Sequence, residues 1–397
     1  MSVAKRKVFG SALIVAGTSI GAGMLALPVV TARGGFFPAL LVYTFCWALM
    51  TLSGLFFVEI SLKMPEGSNL VSMAKRYLGR PGKIASWVLY LFLFYALSTA
   101  YISLGGQFLS PILFTSPFWG SLVFLLLFGG ICFLGASAVD AINELLMLGL
   151  FVAYGGFLLL GSNRVHFDYL ARSDFFAALP ALPVIFTAFS YQGTVPSLVS
   201  YLQRDHRAVK SAIVCGTSLV FFVYVLWQAL ILGIIPFGGE HGLEQAKALG
   251  KSAIQPLRYQ RIPGPVYLMG EGFAFCAIAT SFLGVNMGLL DFLSDGLRIQ
   301  KTVYGKMVLS CLAFLPPTLI ALFDPAIFLR ALDYAGGFGC SILLVLFPTM
   351  MVLISRYRRK ERERVIAVSR NALLFLVTIV SIGILAQIGH LFLRLSK

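Results

Sequence analysis

Gly17-Thr18-Ser19-Ile20-Gly21-Ala22-Gly23 sits in the middle of an apolar stretch that runs from residue 8 to residue 32. A second apolar stretch, 176–200, is interrupted in the same way by Phe189-Ser190-Tyr191-Gln192-Gly193-Thr194 ahead of Pro196. Each stretch is long enough to cross about 30 Å of hydrocarbon at roughly 1.5 Å per residue. In hydrocarbon an unmade backbone hydrogen bond costs several kcal/mol, so a helix broken at that depth persists only where its freed N–H and C=O groups face a ligand, water or other protein groups. Two such breaks in corresponding positions point to the binding site of a secondary transporter.

The surrounding chain agrees with that setting. Of its 397 residues 58% are hydrophobic and 12% charged, and the mean hydropathy is +0.88, far from soluble usage. The pattern predicts an all-α polytopic membrane protein with spans near 8–32, 36–62, 84–114, 118–136, 140–162, 176–200, 209–236, 268–296, 304–323, 325–354 and 371–393. The net charge of +15 does not point to nucleic acid, because the basic residues cluster in short connections between spans. With the N-terminus inside, 21 Lys and Arg fall on the cytoplasmic side and 9 outside, and that bias places the N-terminus in the cytoplasm and, after eleven spans, the C-terminus outside. The first span lacks a signal-peptide cleavage pattern and is expected to be retained. The six cysteines lie within spans without a Cys-x-x-Cys spacing and read as small apolar residues.

Pairing the two breaks divides the chain into a cytoplasmic N-terminus (1–7), a first five-helix repeat (8–162), a second (163–355), a basic cytoplasmic loop (356–370) and an eleventh helix with the C-terminus (371–397). Five spans per unit is an odd number, so the second unit must cross the membrane in the opposite sense to the first, giving an inverted repeat.

The first break offers the N–H groups and positive dipole end of the half-helix resuming at Ala22 or Gly23, suited to a carboxylate. The carbonyls of the half ending near Gly17 suit an ammonium or a cation. A zwitterionic amino acid presents both. Glycines at 17, 21 and 23 let a ligand approach the backbone. In the second break Ser190, Gln192 and Thr194 stand beside Phe189 and Tyr191, a wall both polar and aromatic.

On these residues the chain resembles a known family. Gly17-Thr-Ser-Ile-Gly-Ala-Gly-Met-Leu-Ala-Leu-Pro28 is similar to the opening helix of the hydroxy and aromatic amino acid permeases. Pro183 to Leu198 resembles their sixth helix, and Ala279-Thr-Ser-Phe-Leu-Gly-Val285 their eighth. Among bacterial members the likeness is strongest to tyrosine permeases. The resemblance implies a fold like that of the leucine transporter (LeuT), five plus five helices in an inverted repeat with helices 1 and 6 broken, and uptake of tyrosine or a related amino acid across the bacterial inner membrane, coupled to protons. Tryptophan or another neutral amino acid is the alternative cargo. Where many relatives have Gly-Phe-His in the sixth helix, this chain has Ser190-Tyr191-Gln192.

Tyr95, Ser98 and Tyr101, near the midpoint of the third span, are further candidates for the pocket wall, with interhelical hydrogen bonding as the other reading. For the coupling ion, Thr280 and Ser281 lie near the middle of span eight, where the LeuT-like arrangement would let two hydroxyls help hold sodium. Under proton coupling the intramembrane acids become suspects. Glu59 is one of these, although Lys63 four residues later favours an interfacial ion pair. Asp333, three residues after Arg330, reads as a structural pair or part of a gate. No metal site and no other cofactor is expected, since His166, His206 and His241 lie in loops and His390 stands alone in its span. No nucleophile elbow or phosphate-binding loop supports an enzyme, and no filter-like repeat supports a channel. A receptor that binds an amino acid without moving it would share this signature, but the inner loops hold no signalling domain. The sequence does not set an oligomeric state.

Overall fold

Long apolar runs punctuated by Gly, Pro and short polar connections become helices almost wall to wall. The computed structural model describes residues 3–260, 262–361 and 363–395; the side chain of His390 lies outside the described residues. Among them, ten helices are long and apolar enough to cross a bilayer, and a bent pair makes an eleventh span. That pair is α1, whose halves α1a (Val3–Ser19) and α1b (Ala22–Thr31) meet at 58°. The other spans are α2 (Phe36–Leu62), α3 (Leu70–Ile112), α4 (Pro117–Leu134), α5 (Ala136–Gly161), α6 (Phe175–Tyr201), α7 (His206–Ile234), α8 (Gly264–Leu297), α9 (Val303–Phe323), α10 (Phe328–Arg358) and α11 (Arg370–Leu395). Each expected span is present to within a few residues, except that α3 begins earlier. Its first part is a separate capped helix, with Asn69 and Ser72 in a reciprocal capping box, joined across a kink at Gly79 with φ +77°.

Much of the packing follows a two-fold exchange of each helix with the one five places later. The pair α1–α7 maps to α6–α2, α5–α8 to α10–α3 and α3–α9 to α8–α4, while α1–α6, α2–α7, α3–α8 and α4–α9 map to themselves. All of these pairs are in contact. Small residues set the closest approaches: a Cβ added to Gly216 of α7 would fall 2.6 Å from the Ala12 carbonyl of α1a, the close backbone contact that small residues permit between membrane helices. α11 leans on α10 outside this scheme.

On the face that carries the N-terminus, charges fasten the bundle. The Arg356 guanidinium donates from Nε to Glu59 Oε1 at 2.7 Å and from Nη2 to Glu59 Oε2 at 2.5 Å, with both side chains fully buried. Its remaining donors reach the Val368 and Ile366 carbonyls, and Val365 N–H donates to Glu59. Lys63 also pairs with Glu59, at 3.4 Å. Removing one partner would leave the other charge buried, a loss of about 3 to 5 kcal/mol. Nearby, partial burial raises the Glu361 carboxyl, but hydrogen bonds from Ser355 and Tyr77 and the charges of Lys63 and Arg76 outweigh it and hold Glu361 below the ordinary carboxylate range. Arg330 pairs with Asp324, and Asp333, read as a structural pair or part of a gate, accepts from Gln387 at 3.0 Å.

The opposite face is closed. The connection between α7 and α8 lies across α1b, with Ala253 N–H donating to the Leu25 carbonyl at 3.1 Å and Lys247 Nζ to that of Val30. Gly35, with φ +88°, turns the chain into α2 where a side chain would collide with the Arg172 carbonyl. Asp174 N–H donates to the neighbouring Gly34 carbonyl at 2.8 Å.

Candidate functional site

At the first break Ile20 N–H still bonds back to the Ala16 carbonyl, and Gly21 then adopts an extended conformation that starts a new helix at Ala22. Two other helices satisfy what the break frees. Ser281 Oγ of α8 accepts from Ala22 N–H at 2.9 Å. The Tyr224 hydroxyl of α7 reaches the Ser19 carbonyl at 2.7 Å. The same hydroxyl lies 2.8 Å from the Ala188 carbonyl, which ends the first half of α6 (Leu182–Ala188). One fully buried phenol thus bridges the negative ends of both broken helices, where freed carbonyls converge. Ser19 Oγ beside it is buried without a partner.

Apart from the Ala188 carbonyl on Tyr224, the second break is met from within its own segment. Tyr191 N–H donates to Gln192 Oε1 at 2.9 Å, Thr194 Oγ1 to the Tyr191 carbonyl at 2.8 Å, and Ser190 Oγ to the Thr187 carbonyl at 2.7 Å. Gln192 Nε2 anchors the segment to the Met50 carbonyl of α2 at 3.2 Å. The helix resumes at Val195.

A cavity of about 1350 Å³ runs from these breaks to the N-terminal face. Of the residues expected at the site, it gathers Gly17, Thr18, Tyr101, Gln192, Gly193, Thr194, Thr280 and Ser281. Tyr90, Phe94 and Phe292 form a mutual aromatic cluster in its wall, ring centroids 5.7 to 5.8 Å apart. Asp140, Asn143 and Met147 of α5 and Asp291 of α8 line it as well. Nothing in the sequence singles out these aromatic residues, Asn143, Met147 or Tyr224.

The remaining candidates lie elsewhere. Tyr95 donates to the Leu312 carbonyl of α9 at 2.7 Å, and Ser98 to Asn286 Oδ1 of α8 at 3.0 Å. Both side chains fasten α3 to its neighbours, the interhelical hydrogen bonding that was the other reading for them. Tyr191 is buried against Gly54 with its hydroxyl on the Met50 carbonyl, and Phe189 packs edge-on against Tyr224. Ser190 caps its own turn. Ser19, Ile20, Gly21, Ala22 and Gly23 form the break but lie outside the cavity lining. A Cβ on Gly21 would collide with Ser281 Oγ, and one on Gly23 would sit 3.3 Å from Ala188 Cα. These two glycines therefore admit neighbouring helices. Gly193 does face open space. Glu59, named as an ion candidate, is sequestered by Arg356 away from the cavity. Thr280 donates to its own helix at the Cys276 carbonyl, 2.8 Å away. No cluster of three or more metal-ligating His, Cys, Asp or Glu residues occurs among the described residues.

A broken helix in each half, joined by α7 and α8 over one cavity, is the frame of an alternating-access carrier. The tryptophan/tyrosine permease family model matches residues 4–387. The chain belongs to that family. It is similar to the tryptophan-specific transport protein of Haemophilus influenzae, with 33% identity over 96% of each chain. It is also similar to the tyrosine-specific transport system 1 of the same organism, with 35% identity over 88% of each. The crystal structure of MhsT in complex with L-phenylalanine superposes with a TM-score of 0.60 over 95% of this chain and 97% of that one, at 16% identity. That likeness concerns the fold, and the fold is the LeuT-like inverted repeat with an added eleventh helix. This permease is a multi-pass membrane transport protein and not an enzyme.

Proposed function

We propose that the permease imports an aromatic amino acid, tyrosine foremost, together with a proton, across a bacterial cytoplasmic membrane with its N-terminus inside and its C-terminus outside. The observation that carries this reading is the cavity reaching both breaks, with aromatic walls from Tyr90, Phe94 and Phe292 and the polar groups of Thr18, Gln192 and Thr194 at its end. Relatives named for tryptophan and for tyrosine support the aromatic class. Tyrosine is favoured because Gln192, Thr194 and Tyr101 offer hydrogen-bonding partners to a phenol, and a site built to bond a hydroxyl rejects analogues that lack it. In this orientation the cavity opens to the cytoplasm, the conformation that releases substrate.

Sodium is the second reading, motivated by Thr280 and Ser281. Its difficulty is electrostatic. Ser281 Oγ already accepts from the first N–H of α1b, the positive end of that half-helix, and a cation bound there would face that pole. A zwitterion moving with one proton carries one net charge inward, which an inside-negative potential favours by about 2.3 kcal/mol per 100 mV. Uptake of labelled tyrosine and tryptophan into proteoliposomes, with proton and sodium gradients imposed separately, tests both parts. Accumulation driven by an acid-outside gradient and collapsed by a protonophore is expected, with tyrosine the stronger competitor. Accumulation driven by sodium at equal pH would overturn the proton assignment.

A further inference from the structure

A recess of about 340 Å³ opens on the face that carries the N-terminus, where α4 turns into α5 and α8 into α9. Its floor is apolar, from Cys132, Met287, Leu290 and Leu309, and its charged groups are Lys301, Lys306 and Asp291. Helix α8 separates it from the large cavity, and Asp291 lines both.

Two ammonium groups face one carboxylate, so the recess keeps a positive charge. Lys301 Nζ pairs with Asp291 at 2.5 Å, with both side chains about half exposed, and an exposed pair of this kind is held weakly against competing ions. Among the described residues Lys306 has no carboxylate partner; its Nζ donates to the Leu134 carbonyl at the end of α4, 3.4 Å away. An anionic oxygen in place of that neutral acceptor would form a bond roughly twice as strong. The recess also lies at the edge of the hydrocarbon. Beside it Tyr304 is 77% and Leu134 69% exposed, an aromatic and an apolar side chain turned outward as at a membrane boundary. A small soluble anion would use neither these side chains nor the apolar floor.

We infer that this recess holds one anionic phospholipid, its phosphate between Lys301 and Lys306 and the start of an acyl chain over Leu309 and Leu134. Basic pockets between membrane helices take such head groups. The phosphate competes with Asp291 for Lys301, so its arrival releases a carboxylate into the wall of the large cavity, and the lipid thereby sets the charge of that wall. The inference depends on the membrane setting of the chain and not on which amino acid is carried.

Native mass spectrometry of the full-length protein, delipidated in detergent and titrated with phosphatidylglycerol or with phosphatidylcholine of the same acyl chains, tests it. One phosphatidylglycerol should bind at least tenfold more tightly than phosphatidylcholine. Lys301→Gln and Lys306→Gln should each weaken it about fivefold, the effect of one basic residue near an anionic head group, while Lys306→Arg should retain it. Asp291→Asn removes the competitor for Lys301 and should strengthen binding severalfold. Lys210→Gln, which neutralises an exposed lysine of α7 near the same face, should change nothing. Equal binding of the two lipids, or the same weakening from Lys210→Gln as from Lys306→Gln, would reduce the effect to general surface charge and overturn the inference. Displacement of phosphatidylglycerol by millimolar inorganic phosphate would assign the lysines to a soluble anion and overturn it too. Unchanged or weaker binding by Asp291→Asn would break the proposed exchange at Lys301.

Discussion

The two helix breaks solve one physical problem in opposite ways. At the break in α6 most of the freed backbone groups are met locally, by Gln192, Thr194 and Ser190 of the segment itself, and the Ala188 carbonyl is met by Tyr224 of α7. At the break in α1 the segment offers glycines and little else, and the partners come from distant helices, Ser281 of α8 and Tyr224 of α7. A break that carries its own caps keeps its shape when neighbours move. A break capped from elsewhere keeps its shape only while α7 and α8 stay in place, so its geometry reports the arrangement of the bundle. In a carrier whose halves rock against each other, the α1 break is accordingly expected to change more with access than the α6 break, which depends on α7 for the Ala188 carbonyl.

The largest effect expected from this contrast is at Gly21. Its missing Cβ is the space taken by Ser281 Oγ, so Gly21→Val drives a branched side chain into the side-chain cap of α1b. Uptake should be abolished while the amount of protein in the membrane stays at the wild-type level. Gly193 belongs to the other break and faces open space, so Gly193→Ala should leave insertion and much of the uptake intact. Near-normal uptake by Gly21→Val would remove the asymmetry between the breaks.

How far the sequence reveals this site follows from the same physics. Both breaks are legible because Gly and Pro punctuate an otherwise apolar run, and hydrocarbon makes such punctuation costly unless it is used. All eleven spans are legible for a related reason, since length and hydropathy alone define them. What is hidden is rotation about each helix axis. Ser98 and Tyr101 share a face by spacing, yet Tyr101 reaches the cavity while Ser98 turns to Asn286. Tyr224 was illegible for want of contrast: a tyrosine inside an apolar span reads the same whether it bonds a side chain, as Tyr43 bonds Gln228 at 2.7 Å, or bridges two helix ends. Glu59 is half legible: its pair with Lys63 four residues on is present at 3.4 Å, but its fully buried partner Arg356 lies 297 residues away in the chain.

Tyr224→Phe sharpens the comparison, since its single hydroxyl proton is shared by carbonyls of the two breaks. The variant keeps the ring, and with it the edge-on packing against Phe189, but leaves the Ser19 and Ala188 carbonyls short of a donor. A buried acceptor left unsatisfied costs about 1 to 3 kcal/mol. A lower melting temperature and a clear fall in uptake are expected. Hydrogen exchange should rise at the ends of both half-helices, around residues 19–24 and 188–191, and faster exchange at one break alone would show that the phenol serves only that break.

The smallest effect belongs to Ser281→Ala. The hydroxyl caps Ala22 N–H, yet a single interhelical hydrogen bond within a membrane protein contributes about 1 kcal/mol or less. Removal of Ser281 Oγ also opens space beside Gly21, into which the substrate carboxylate or a water molecule can bring a replacement acceptor. Under proton coupling, Ser281→Ala should therefore transport with a modestly raised half-saturation and the same indifference to sodium as the wild type. A capped α6 break beside a loosened α1 break would still close, more slowly, because the locally capped half is intact. Under sodium coupling the outcome is different in kind: Ser281 would be a cation ligand, and its loss would raise the sodium requirement sharply while leaving uptake at saturating sodium. Initial rates measured across a sodium series at clamped pH separate these cases. A sodium-dependent rescue of Ser281→Ala would make the remotely capped break an ion site, and the difference between the two breaks would then be one of ligation and not of packing.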